Sequence, residues 1–169
     1  MNPAERRMRE WEFRRQRRWS FAAAILCLLV VVAFGAEFVY ARAAAAPPPA
    51  KGVTVIGEQI RIPLSEFSDS TLHYYTADAN NTVIRFFVVR KPNGDYVAAL
   101  DACQICGTLG YRQEGQNVIC RNCAAAIYIP SIGEKGGCNP IAVKSIVEGG
   151  EIRVDLSALT DAISTIHSR

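Results

Sequence analysis

Residues 103–123 read CQICGTLGYRQEGQNVICRNC, two Cys-x-x-Cys pairs with thirteen residues between them. Two thiols three positions apart fit a tight turn that aims both sulfurs at one centre. Gly107, directly after the second sulfur, suits a turn position that needs positive φ. Two such turns present four thiolates, Cys103, Cys106, Cys120 and Cys123, as a tetrahedron. That geometry suits zinc, a single iron or an iron–sulfur cluster, and the spacing does not choose among them. Cys138, in GGCNP, is a fifth thiol and a candidate ligand or close neighbour of the centre. The sixth, Cys27, lies in an apolar run and reads as packing.

Other chemistries find less support. Disulfides are the alternative use of these thiols if the domain lies in an oxidising compartment. A thioredoxin-type pair needs a cysteine at a helix N-terminus, whereas CGTLGY and CAAAIY read as turn and strand. A blue-copper centre needs two His and a Cys, commonly with an axial Met. The histidines are His73 and His167 and the methionines Met1 and Met8, so that reading fails. His73, in LHYYTA, reads as a half-buried strand histidine with a hydrogen-bond partner, and His167 as exposed tail. No Ser-His-Asp set, flanking carboxylate pair or phosphate loop appears, so an electron-transfer or metal-binding component is favoured over a stand-alone catalyst.

The elements that must position the thiols read mainly as strands. VTVIGEQIRIPL, LHYYTA, TVIRFFVVRK and YVAALDA are β-rich runs separated by Gly57-Glu58, Asn80-Asn81 and Pro92-Asn93-Gly94-Asp95 as turns. GYRQEG, QNVIC and AAIYI are short strands around the cysteines, and IAVKSIVEGGEIRVDL is a hairpin across Gly149-Gly150. SALTDAISTIH is a closing helix capped by Ser157. The fold expected is a small antiparallel β domain with two Cys-x-x-Cys ligand loops, Rieske-like or zinc-ribbon-like. The layout is similar to Rieske-type domains, whose two loops each supply one Cys and one His; here Cys106 and Cys123 stand at the His positions.

Upstream, FAAAILCLLVVVAFGAEFVY, residues 21–40, is long enough to span the roughly 30 Å hydrocarbon layer. Residues 1–19 hold seven Arg and three Glu, a balance of +4. The positive-inside bias then keeps this arm cytoplasmic and sends the rest outward. A cleaved signal peptide is the rival, since ARAAAAPPPA offers small residues for cleavage. From Lys51 onward eleven Lys/Arg face twelve Asp/Glu, which excludes a basic nucleic-acid face. The expected organisation is an Arg-rich arm (1–19), a transmembrane anchor (20–40), an Ala/Pro linker (41–51) and an extracytoplasmic metal-binding β domain (52–169).

At DACQIC, GYRQEG, VICRNC and GGCNP the chain resembles the FtrD-like membrane iron–sulfur proteins, over about residues 55–157. Many of those proteins are larger, with several membrane helices. The resemblance implies Cys103, Cys106, Cys120 and Cys123 as ligands of an iron–sulfur cluster or iron, with Cys138 as a fifth candidate. This chain has one apolar run of spanning length, and with its Arg-rich flank the expectation is a single-pass protein of a bacterial inner membrane, its C-terminal domain outside the cytoplasm. Its partner would be an Ftr-type iron permease system or a redox complex. The functions expected are electron transfer or metal handling linked to iron uptake. A structural zinc-ribbon interaction module and a periplasmic thiolate carrier of copper(I) or iron are the alternatives.

Overall fold

A computed structural model describes residues 3–44, 46–79 and 81–167, with side chains for 11–41, 46–79 and 81–166. The chain divides into two units, Met1–Ala46 and Pro47–Arg169. The first is one helix, α1 (Pro3–Ala44). The described residues of the segments expected as arm and anchor thus lie in a single helix. Between Trp11 and Ala41 it is long and apolar enough to cross a membrane, and none of its side chains is buried within the protein.

The second unit is mainly β. Its strands are β1 (Lys51–Gly52), β2 (Val55–Ile56), β3 (Gln59–Pro63), β4 (His73–Ala79), β5 (Thr82–Arg90) and β6 (Tyr96–Leu100). They continue with β7 (Tyr111–Glu114), β8 (Asn117–Cys120), β9 (Ala126–Tyr128), β10 (Ala142–Val143), β11 (Ser145–Glu148) and β12 (Glu151–Asp155), and α2 (Leu156–His167) follows. Three sheets form, ordered β1-β4-β5-β6-β10, β11-β12-β3-β2 and β7-β8-β9. Among the described strands every pairing is antiparallel except the two-residue parallel contact of β1 with β4.

The five-stranded sheet is covered on both faces, and β5 shows why. Its run FFVV is buried throughout, the continuous apolar pattern of a strand with no solvent face. Because successive side chains alternate, Phe86 and Val88 enter one core while Phe87 and Val89 enter the other. The first core joins this sheet to β3, β12 and α2 through Ile60, Ile62, Ile152, Val154 and Leu159. The second joins it to the small β7-β8-β9 sheet and contains Cys103, Cys120 and Tyr111. Truncating Phe87 to Ala removes a ring from that second core at a cost of about 3–5 kcal/mol.

Turn chemistry sets the registers. Gly57 and Glu58 both have positive φ (56° and 66°) and close β2 onto β3, pairing Ile56 with Gln59. Gly149 and Gly150 (φ 61° and 79°) do the same between β11 and β12. The hairpin expected over residues 141–156 is shorter than its sequence run. Ala142–Val143 pairs with β6 in the large sheet, and only Ser145–Glu148 turns back along β12. Helix α2 begins at Leu156, whose N–H donates to Glu58 O (2.9 Å), so Ser157 sits inside the first turn instead of capping it. Asn81 has φ 63°; Asn80 and the side chain of His167 lie outside the described residues.

Candidate metal centre

The first cysteine turn leaves the end of β6. Cys103 and Gly107 form an isolated antiparallel bridge, with Cys103 N–H donating to Gly107 O (3.1 Å) and Gly107 N–H to Cys103 O (3.0 Å). The turn is possible because Gly107 takes φ 70°. Within it the Cys106 N–H donates to Cys103 Sγ at 3.1 Å. Such a bond favours the thiolate over the thiol.

The second turn leaves β8 and nearly repeats the first. Cys120 N–H donates to Ala125 O (2.9 Å), and Ala124 N–H donates back to Cys120 O (2.9 Å). Ala124 occupies the place of Gly107, and it too has positive φ, at 57°. A left-handed alanine costs about 1–2 kcal/mol, so the tertiary structure holds this turn against a local preference. The two turns are tied together where Arg121 N–H donates to Gly110 O (3.0 Å).

The third contributor is the GGCNP loop. Gly136 and Gly137 have φ of 110° and 59°, and Asn139 clamps the loop. Its side-chain amide donates to Ser131 O (2.7 Å) and its Oδ1 accepts from Gly133 N–H (3.2 Å). Tyr111 donates its hydroxyl to Cys138 O at 2.7 Å. Burial raises the Tyr111 phenol far above its ordinary pKa, so it remains a donor.

These pieces bring the sulfurs of Cys103, Cys106, Cys120 and Cys138 within 4.8 Å of one another. Cys106 and Cys138 are 3.8 Å apart. Cys123 is not in that mutually close set, but its sulfur lies 3.3 Å from that of Cys138. Cys103 and Cys120 are buried, Cys106 and Cys138 half-buried, and Cys123 exposed. A metal–sulfur bond of about 2.3 Å in a tetrahedron separates sulfurs by about 3.8 Å. The all-sulfur donor set fits a thiolate-bound iron or zinc, and its spacing fits one ion. A multi-iron cluster requires the sulfurs to stand farther apart.

The crowded surroundings split the proton affinities of Cys103, Cys106, Cys123 and Cys138. Burial raises Cys103, but N–H donors from Cys106 and Ile105 and the Tyr111 hydroxyl outweigh it, leaving a net fall. Burial pushes Cys106 up. Cys123 is drawn down to about 7 by the Ala125 N–H and then by its neighbouring thiols. Cys138 is pushed up to about 11, chiefly by Cys123.

Beside the turns lies a part-buried ion pair that sequence reasoning missed. Asp101, 2% exposed at its side chain, accepts from Arg85 Nε and from Tyr111 N–H (2.7 Å). Arg85 also donates to Pro48 O and lies over the Tyr74 ring, 4.9 Å from its centroid. Burial raises the Asp101 carboxyl, and Arg85 and the Tyr111 N–H oppose that rise. The signal was the Asp of DACQIC, two residues before the first thiol. In GYRQEG, Gln113 accepts from Leu72 N–H (2.7 Å) and donates to Ser70 O (3.0 Å), holding the 70–72 segment against β7. His73 opens β4, half-buried, with Nε2 3.2 Å from Thr71 Oγ1, and is not in the thiol group. Cys27 is on α1, exposed.

The family model described as "Membrane iron-sulfur containing protein FtrD-like" matches residues 67–165, a span that includes all five clustered cysteines. No curated protein and no solved structure matches the chain.

Proposed function

The chain belongs to the FtrD-like family of membrane iron–sulfur proteins, and from that premise we propose that it is a membrane-anchored, thiolate-bound iron protein serving electron transfer or metal handling in iron uptake. Helix α1 is the anchor, its Arg-rich end cytoplasmic, in a bacterial inner membrane. The unit from Pro47 onward works outside the cytoplasm beside a membrane partner such as an Ftr-type permease system or a redox complex. Cys103, Cys106, Cys120, Cys123 and Cys138 are the residues that handle the metal. When bound, iron in such a set supplies a one-electron couple.

The observation that carries this reading is the convergence of five thiols from three separate loops on one cluster, buried at Cys103 and Cys120 and exposed at Cys123. The test is metal analysis and a visible spectrum of the full chain, purified in detergent without air. Iron in the preparation with thiolate-to-iron absorption supports the reading, and acid-labile sulfide would identify a cluster. A colourless protein with one zinc per chain overturns it.

That second outcome belongs to a structural zinc-binding interaction module. The specific observation in its favour is the sulfur spacing, with four thiols all within 4.8 Å, as a closed one-ion site requires.

A further inference from the structure

Four thiolates complete a tetrahedral ion, yet five sulfurs meet here, and the structure distinguishes them. Cys103 and Cys120 are buried at the bases of their turns, and Cys106 and Cys138 complete the mutually close set. Cys123 is the exposed one, and it borders that set, with its sulfur 3.3 Å from that of Cys138 and interacting with Cys120 and Cys106 as well. Its turn partner Cys120 is inside. The second Cys-x-x-Cys pair is therefore divided, Cys120 buried within the close set and Cys123 exposed beside it, whereas both cysteines of the first pair belong to the set.

Resting on the metal-thiolate reading above, we propose that the cysteines form a four-plus-one site. Cys103, Cys106, Cys120 and Cys138 hold one thiophilic cation, and Cys123 is the outer thiol through which that cation enters and leaves. In the exchange step, Cys123 loses its thiol proton to water and forms a sulfur–metal bond. The bond from the metal to Cys138 breaks, and the Cys138 thiolate takes a proton from water. The cation keeps four sulfur ligands and no electron changes hands. The 3.3 Å separation makes Cys123 and Cys138 immediate neighbours for this transfer. The GGCNP loop supplies the receiving position: its Gly136 and Gly137 take a backbone shape closed to most residues, while Asn139 and Tyr111 hold it in place.

The experiment uses the full chain in detergent, stripped of metal under reducing conditions and given one equivalent of Cd²⁺. Thiol alkylation followed by peptide mapping reads each cysteine separately. Cys103, Cys106, Cys120 and Cys138 are expected to be protected while Cys123 is modified. Protection of Cys123 with Cys138 left open overturns the assignment while keeping the metal site. Protection at none of the five overturns the metal-thiolate reading itself. The variant Cys123→Ser, at an exposed position, is expected to keep one Cd²⁺ per chain and an unchanged melting temperature. Its exchange of bound Cd²⁺ with a competing chelator should slow by about tenfold or more, because a pre-placed ligand has been lost. Exchange at the original rate removes Cys123 from the entry path.

Discussion

A Cβ built on Gly110 lies 2.7 Å from both carboxylate oxygens of Asp101. Gly110 also has φ 81°, so two independent constraints demand glycine there. The reason is mechanical: Tyr111 N–H must reach Asp101 Oδ1, and the chain must pass over the buried carboxylate to do so. Gly110→Ala has to displace Asp101 from Arg85, leaving a buried charge short of its partner. A loss of about 3 kcal/mol or more is expected, with metal content falling as well. Gly115→Ala is the control. It has φ 59° but nothing within 4 Å of the added carbon, so only about 1 kcal/mol should be lost. Equal melting temperatures for the two variants would refute the Asp101 contact as the cause.

At the second cysteine turn the opposite change is favourable. Ala124 has positive φ (57°) where the first turn has Gly107. Ala124→Gly relieves about 1–2 kcal/mol of left-handed strain but adds freedom to the unfolded chain worth about 0.4–1 kcal/mol. A net gain of roughly 0.5–1 kcal/mol is expected in chemical denaturation. Gly107→Ala should lose stability by a similar amount. If Ala124→Gly destabilises, strain at that turn is not the controlling effect.

Tyr111→Phe deletes one hydroxyl and keeps the ring in the second core. The hydrogen bond to Cys138 O is lost, at a cost of about 1 kcal/mol. Because that bond holds the GGCNP loop, metal should leave faster in the variant, as measured by chelator competition. A stability loss with an unaltered metal off-rate would make the hydroxyl structural only.

Glu66 provides a pH test away from the thiols. Its carboxyl is held below the usual value by Lys51 Nζ (2.7 Å), with burial opposing and the Tyr75 hydroxyl (2.9 Å) assisting. A depressed folded pKa contributes stability above the unfolded value of 4.5 and loses it as pH falls through the folded value. The melting-temperature advantage of the parent over Glu66→Gln should therefore be present at neutral pH and vanish in acid. An advantage that grows on acidification contradicts the assignment.

For the anchor, a reporter fused after the last residue is expected to be active only outside the cytoplasm, since the Arg-rich flank precedes an apolar stretch of spanning length. Activity inside overturns the orientation. A mature N-terminus near Pro47 by mass analysis would overturn the anchor and leave export intact.

Much of the fold was legible because its signals are local. Alternating and continuous β-rich runs, paired turn residues at Gly57-Glu58 and Gly149-Gly150, and a spanning apolar stretch each act over a few residues. Cys-x-x-Cys spacing marked most of the thiol cluster for the same reason. What tertiary structure decided depends on residues far apart in sequence. Packing the β7-β8-β9 sheet on the face of β5 that carries Phe87 buries Cys103 and Cys120 together. It also brings the loop of Cys138 to within 3.8 Å of Cys106, thirty-two residues away. Spacing alone grouped Cys123 with the other three. Which of Cys123 and Cys138 joins the close set depends on how two sheets stack, and no local rule carries that information. The Arg85–Asp101 pair was hidden likewise, because the burial of Asp101, just past the end of β6, and its pairing with a residue of β5 sixteen positions earlier arise only in the assembled fold. Ala124 was hidden for the converse reason: its side chain disfavours the backbone shape that the assembled site imposes.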